Sequence, residues 1–246
     1  MQATTKVKAV IFDIGGVLTR SPFIAISAYE REHGLPANYI NVSLSSRGPS
    51  GAFQQYERGE LEYAEFAEQW TDELNDTKTN NPAYLRYLHR HELDTHMVLP
   101  QKTMIDGSVL FARMMEMAET PNECVVELVH WLKRAHQGYR VAALTNNFKD
   151  DGVRDRLAPL FDVFVESAVE GLRKPDPRLY MRACNRLDVS PSEVVFLDDI
   201  PANLRAAAEL GITAVQVEIG REMQAVEQVK RILKARGAYP EPSAKL

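Results

Sequence analysis

Short apolar runs alternate with amphipathic stretches at the start of the chain and through its second half. Lys8–Asp13, Arg140–Thr145 and Val194–Asp198 are apolar runs that end in polar residues and a turn: Gly15-Gly16, Asn146-Asn147 and Asp199 respectively. Runs of this length bounded by such punctuation read as short buried strands. Phe161–Val165 and Thr213–Val217 complete a predicted set of five. Between them the spacing becomes helical. Asn122–His136 places Cys124, Val125, Leu128, Val129 and Leu132 on one face and stops at Gly138. Pro177–Leu187 and Pro201–Leu210 start with proline in the first turn, and Glu222–Arg236 is the last helix. Strand and helix in alternation predict βαβ units, and so an α/β, Rossmann-like parallel sheet. In such sheets ligands sit at the C-terminal strand ends, where Asp13, Thr145, Asp198 and Asp199 fall.

The stretch from 20 to 120 is too long to be a βα loop. It reads as an inserted helical cap folded over the strand ends, with helices such as Glu60–Leu74 and Ser108–Glu119 and breaks at Gly34, Gly48–Gly51 and Pro82. The expected organisation is an α/β core of residues 1–19 and 121–236, a cap of 20–120, and an exposed tail of 237–246. No internal repeat is evident.

Composition narrows the classes. The formal charge is −5, so bulk charge announces neither a nucleic-acid binder nor an anionic-membrane binder. No apolar stretch reaches the ~18 residues of a membrane span. The opening MQATTKVKAV reads as no signal peptide, because its apolar run leads straight into a strand and a turn. Cys124 and Cys184 are far apart and belong to no CxxC, so they read as free thiols rather than a disulfide or zinc framework. His89, His91 and His96 cluster without a zinc spacing and read as a solvated face. Met104, Met114, Met115 and Met117 around Phe111 read first as packing, with an apolar pocket for a lipid-like substrate as the alternative.

The polar strand ends carry the chemistry. A carboxylate at a strand end, Asp13, followed by Gly-Gly can attack phosphorus, while the glycines turn the backbone sharply toward an anion. The hydroxyl of Thr145 and the backbone N–H at Asn146 can bind phosphate oxygens. Lys174, held before Pro175, can neutralise developing negative charge. The pair Asp198-Asp199 can complete an oxygen-rich Mg²⁺ site with Asp13. In this order Phe12–Leu18, Leu144-Thr-Asn146, Gly171–Asp176 and Phe196–Asp199 resemble the four motifs of the haloacid dehalogenase (HAD) superfamily. Arg173–Tyr180 and Phe196–Leu204 narrow the resemblance to the N-terminal phosphatase-like domain of soluble epoxide hydrolase and the related domain of some acyl-CoA dehydrogenase proteins.

The resemblance implies a HAD core and roles for its residues. Asp13 would be nucleophile and metal ligand, the Gly15 carbonyl a second ligand, and Asp199 the third with Asp198 close by. Thr145 and Asn146 would grip phosphate, Lys174 would steady both phosphate and Asp13, and Asn203 would support the metal's water shell. The implied reaction is Mg²⁺-dependent hydrolysis of a small phosphorylated metabolite through an aspartyl-phosphate. One position departs from the pattern: Gly15 stands where these phosphatases usually carry a second Asp as acid and base, a loss of ~10²–10⁴ in rate. Two alternatives therefore accompany the phosphatase: a 2-haloacid dehalogenase-type hydrolase, and a catalytically weak phosphometabolite-binding domain. The final Ala244-Lys245-Leu246 is a variant of the peroxisomal Ser-Lys-Leu address, which in a eukaryote would direct the chain to the import receptor and the peroxisome. Otherwise the expected location is cytoplasmic.

Overall fold

The computed structural model describes residues 5–135, 138–149 and 152–236. Two compact units emerge, Met1–Ser21 with Thr120–Leu246, and Pro22–Glu119. The first is built on a five-stranded parallel sheet: β1 (Ala9–Phe12), β2 (Arg140–Thr145), β3 (Val163–Glu166), β4 (Val194–Asp198) and β5 (Thr213–Gln216), in spatial order β3-β2-β1-β4-β5. β1 lies at the centre, with Ala9 opposite both Arg140 and Val194.

Helices cover both faces, so the central strands are apolar on both sides rather than alternating with polar residues. On one face Val10, Phe12, Val141, Ala143, Val195 and Leu197 pack with the helices Glu123–Arg134 and Glu222–Ala235. On the other, Ala9, Ile11, Ala142, Leu144 and Phe196 pack with Pro177–Leu187 and Pro201–Glu209. The third strand begins two residues later than its apolar run, because Phe161 closes a 3₁₀ turn and pairing with β2 starts only at Val163 opposite Ala142.

The sheet reverses its direction of growth at β1: β2 lies to one side and β4 to the other. In open α/β sheets ligands bind outside the C-terminal strand ends at such a switch point. Asp13 stands there at the end of β1, and its N–H donates to the Leu197 carbonyl of β4 (2.9 Å). The segment leaving β1 and the one entering Glu123–Arg134 are tied together. Arg20 N–H donates to Thr120 O (2.8 Å), Asn122 N–H to Leu18 O (2.8 Å), and the Asn122 side chain to Val17 O and Thr19 O.

The unit Pro22–Glu119 is helical, with Phe23–Glu32 against Gly107–Ala118 and Tyr39–Ser46 against Thr77–Arg90. Its aromatic core stacks Tyr56 on Phe66 (4.3 Å between centroids) and Phe66 on Trp70 (5.3 Å), with Phe111 edge-on to Phe66. Met114 is buried in this unit but Met104 is 82% exposed, so the methionines form no single cluster around Phe111. His89, His91 and His96 are exposed. No helix among the described residues is long and apolar enough to cross a membrane. Both cysteines are free thiols.

The break expected at Pro82 does not occur; Pro82 lies inside the helix Thr77–Arg90. Proline there removes one helical hydrogen bond, and tertiary anchoring of the preceding turn outweighs that loss. Buried Asn80 donates to Glu73 O and Leu74 O and accepts from Ser43 Oγ and Arg47 Nη2. Asn81 accepts from Tyr39 Oη (2.6 Å) and donates to Pro100 O (2.9 Å). The tail 237–246, with its Ala-Lys-Leu end, lies outside the described residues. Asn80→Ala removes four hydrogen bonds; Glu73 O keeps Arg47, Leu74 O keeps Thr103 and Arg47 keeps Asp76, while buried Ser43 Oγ loses its acceptor, and we expect a loss of about 1–3 kcal/mol, read as a lower urea midpoint. A shift below half a kcal/mol would mean that the amide does not hold this helix pair.

Candidate active site

Asp13 is buried and both its carboxylate oxygens are engaged. Oδ1 accepts from the Ile14 N–H (2.7 Å), and Oδ2 lies 2.8 Å from Lys174 Nζ. Lys174 is itself fully buried. Its ammonium bridges Asp13 and Asp198, 2.7 Å from Asp198 Oδ2, and sits 5.5 Å from the centre of the Phe196 ring. Burial opposes the charge on Lys174, but Asp13 and Asp198 outweigh it and hold the ammonium above its ordinary range.

Asp198 is saturated by protein donors. Its Oδ1 accepts from Ile200 N–H (2.8 Å) and Asn203 Nδ2 (3.0 Å), and its Oδ2 accepts from Lys174 and Asn203 (3.1 Å). The Asn203 Nδ2 is thus directed at Asp198. Asp199 differs from its neighbour. Its Oδ2 accepts from Ser21 Oγ (3.3 Å), while its buried Oδ1 has no hydrogen-bond partner. Burial, and then the negative charge of Asp198, push the Asp199 carboxyl up to about 7. Burial also raises Asp13 well above the carboxylate range, despite Lys174.

Carboxylate oxygens of Asp13, Asp198 and Asp199 lie within 4.8 Å of one another. Three carboxylates face one ammonium. Uncompensated buried negative charge is costly, and a divalent cation removes that cost with oxygen ligands of the kind present here. The unpartnered Asp199 Oδ1 is the atom such an ion would satisfy, so the donor set fits Mg²⁺.

The glycines fit the same picture. Gly15 bridges to Thr19, and Gly16 N–H donates to Thr19 O (2.9 Å), closing a tight turn after Asp13. Gly16 has φ +81°, and a Cβ there would lie 2.1 Å from Asp199 Oδ2. Only glycine allows both that backbone and so close an approach.

At the end of β2, Thr145 is buried, and its hydroxyl makes one long bond, to Asn146 O (3.3 Å). The Asn146 side chain turns away to the backbone of Lys174, accepting from its N–H (2.8 Å) and donating to its carbonyl (3.2 Å). Next along, Asn147 N–H donates to Ser167 Oγ (2.9 Å), and Asn147 Nδ2 donates to Glu166 Oε1 (3.0 Å); Glu166 also pairs with Arg154. Neither Ser21 nor the Asn147–Glu166–Arg154 group was visible in sequence, because these contacts span up to 178 positions and carry no local spacing. The second asparagine of Asn146-Asn147 was the one available hint.

This geometry belongs to a known class. A family model of haloacid dehalogenase-like hydrolases matches residues 7–211, and the chain belongs to that family. It is 32% identical to mouse acyl-CoA dehydrogenase family member 10 over 92% of this chain, which is 19% of that protein. It is 29% identical to mouse bifunctional epoxide hydrolase 2 over 84% of this chain and 35% of that one. The chain therefore spans only about a fifth to a third of these two relatives. A sesquiterpene phosphatase of Aspergillus oryzae is matched nearly end to end, at 28% identity over 87% of this chain and 91% of that protein. Among solved structures, a HAD-family enzyme of Bacteroides thetaiotaomicron shares the fold, with a TM-score of 0.57 at 18% identity over 91% of this chain and 99% of that one. The same enzyme crystallised with magnesium and inorganic phosphate superposes with a TM-score of 0.54 at 19% identity, covering 87% of this chain and 96% of that one.

Gly16→Ala is expected to destabilise the fold by about 1–3 kcal/mol through its left-handed backbone alone, with further loss from the displaced Asp199. Urea unfolding beside Gly34→Ala checks it. Gly34 also has positive φ but open space at its Cβ position, so equal losses in the two variants would show that the approach to Asp199 adds nothing.

Proposed function

We propose that this chain is a Mg²⁺-dependent phosphatase acting on a small organic phosphate through an aspartyl-phosphate at Asp13. One observation carries the proposal: buried Asp13, ion-paired to buried Lys174, stands beside Asp199, whose inner oxygen has no partner. The family membership, and the phosphatase among the relatives matched nearly end to end, support the same reading.

In this reading Asp13 attacks phosphorus in line, the bond from phosphorus to the leaving oxygen breaks, and an acyl phosphate forms on Asp13. Water then attacks phosphorus, and the bond to the Asp13 oxygen breaks to release inorganic phosphate and restore the carboxylate. Lys174 orients Asp13, opposes the burial that disfavours its ionised form, and faces the negative charge that develops on the phosphoryl oxygens. Thr145, with one long hydrogen bond to give up, donates to a phosphoryl oxygen.

Asp13, Asp199 and the Gly15 carbonyl would hold the magnesium ion. Asp198, with both oxygens engaged, orients Lys174 from behind rather than binding metal directly. When bound, the ion supplies positive charge that lets one anion approach another. Gly15 offers no carboxyl to protonate the leaving group, so substrates whose leaving oxygen is already weakly basic are favoured.

We expect turnover of phosphate monoesters in Mg²⁺, loss of turnover in EDTA, and a fall on the order of 10³-fold or more in Asp13→Asn. Gly15→Asp should raise kcat by ~10²–10⁴, most for poor leaving groups. No turnover across a broad metabolite-phosphate panel would sink the phosphatase. Metal-independent halide release from 2-chloropropionate would put a dehalogenase in its place. Phosphate binding without turnover would leave a binding domain. Magnesium binding has its own readout: at 100 times Kd it stabilises by about 2.7 kcal/mol, a rise in Tm that Asp199→Asn should abolish.

A further inference from the structure

We infer that Asn146 is a positioning residue that acts through Lys174, rather than a side chain that grips phosphate. Lys174 stands on the loop between the helices Ser167–Glu170 and Pro177–Leu187, outside any strand or helix. Nothing in the sheet ladder sets its backbone. Asn146 does: its Oδ1 accepts from the Lys174 N–H (2.8 Å) and its Nδ2 donates to the Lys174 carbonyl (3.2 Å). These two bonds reproduce, from one side chain, what a neighbouring strand would supply.

The residue type follows from that task. The bracket needs an acceptor and a donor on one short, neutral group. Aspartate has no donor, and a single hydroxyl cannot meet both backbone atoms. A short side chain at the end of β2 also transmits the position of the sheet with little slack. The free end of Lys174 is held by Asp13 at the end of β1 and by Asp198 at the end of β4. Lysine is therefore fixed at both ends, backbone by β2 and ammonium by β1 and β4. A free lysine side chain carries much rotamer freedom, and clamping both ends removes it before any substrate arrives.

The consequence for rate rests on the phosphoryl-transfer reading of Asp13, but the bracket itself does not. The experiment separates the two. Amide hydrogen exchange at Lys174 should speed up at least about tenfold in Asn146→Ala while amides in β1 and β4 keep their rates. Turnover should fall by about 10²-fold, as for a catalytic group displaced by about 1 Å. Binding of inorganic phosphate with Mg²⁺, measured by calorimetry, should show a strong double-mutant coupling. Asn146→Ala should weaken it in the wild-type background and leave it unchanged in Lys174→Ala.

Unchanged exchange at Lys174, or equal losses of phosphate affinity in both backgrounds, would overturn the inference and return Asn146 to direct phosphate contact. If the wild type turns over no phosphate ester, the function proposed above fails while the exchange result still judges Asn146. If Asn146→Ala does not fold, Asn146→Asp, which keeps the acceptor and loses the donor, carries the same comparisons.

Discussion

A fully buried lysine shared by two carboxylates holds this site together. Lys174 has no exposed surface, and an isolated ammonium there would be strongly disfavoured. It is retained because Asp13 and Asp198 meet it at 2.8 and 2.7 Å from adjacent strands. The three groups depend on one another. Without Lys174, Asp13 and Asp198 would be buried like charges with no cation between them. Without either carboxylate, the lysine would be poorly compensated. The parallel pairing of β1 and β4 brings the partners to the same level, so the sheet's register is also the register of the charges.

The two adjacent aspartates show how neighbours in sequence acquire different tasks. Asp198 closes β4 and is enclosed by Lys174, Asn203 and the Ile200 N–H, which use both its oxygens. Asp199 lies one residue past the strand, over the glycine turn, with an oxygen that no protein donor reaches. The division falls at the strand end: Asp198 is still paired with β5, opposite Gln216, and Asp199 is past the last pairing. Gly16 completes it by leaving the space that the Asp199 carboxylate fills.

The helical unit obeys a different logic. Its interior mixes an aromatic stack with a polar group centred on Asn80 and Arg47, and that group holds helices in place where local propensity argues against them. Pro82 sits inside a helix for this reason. Single-residue signals for breaks are weak wherever the preceding turn is anchored from outside the helix.

Hydrophobic periodicity by itself determined the parallel α/β sheet. β2 and β4 occur at the residues their apolar runs predict, and the helix Pro177–Leu187 matches its apolar face and its first-turn proline end for end. These are consequences of short-range physics: a run of apolar residues must be buried, and a proline suits a helix start. Asp13, Thr145, Asp198 and Asp199 could be singled out because polar residues ending apolar strands carry a signal of their own, and Lys174 by its place before Pro175. Tertiary structure alone decided what each one touches. The Asn146 side chain reaches Lys174, Asn203 reaches Asp198, and Ser21 reaches Asp199. Hydrogen bonds between side chains depend on ångström-scale placement by the sheet, and no spacing along the chain encodes that.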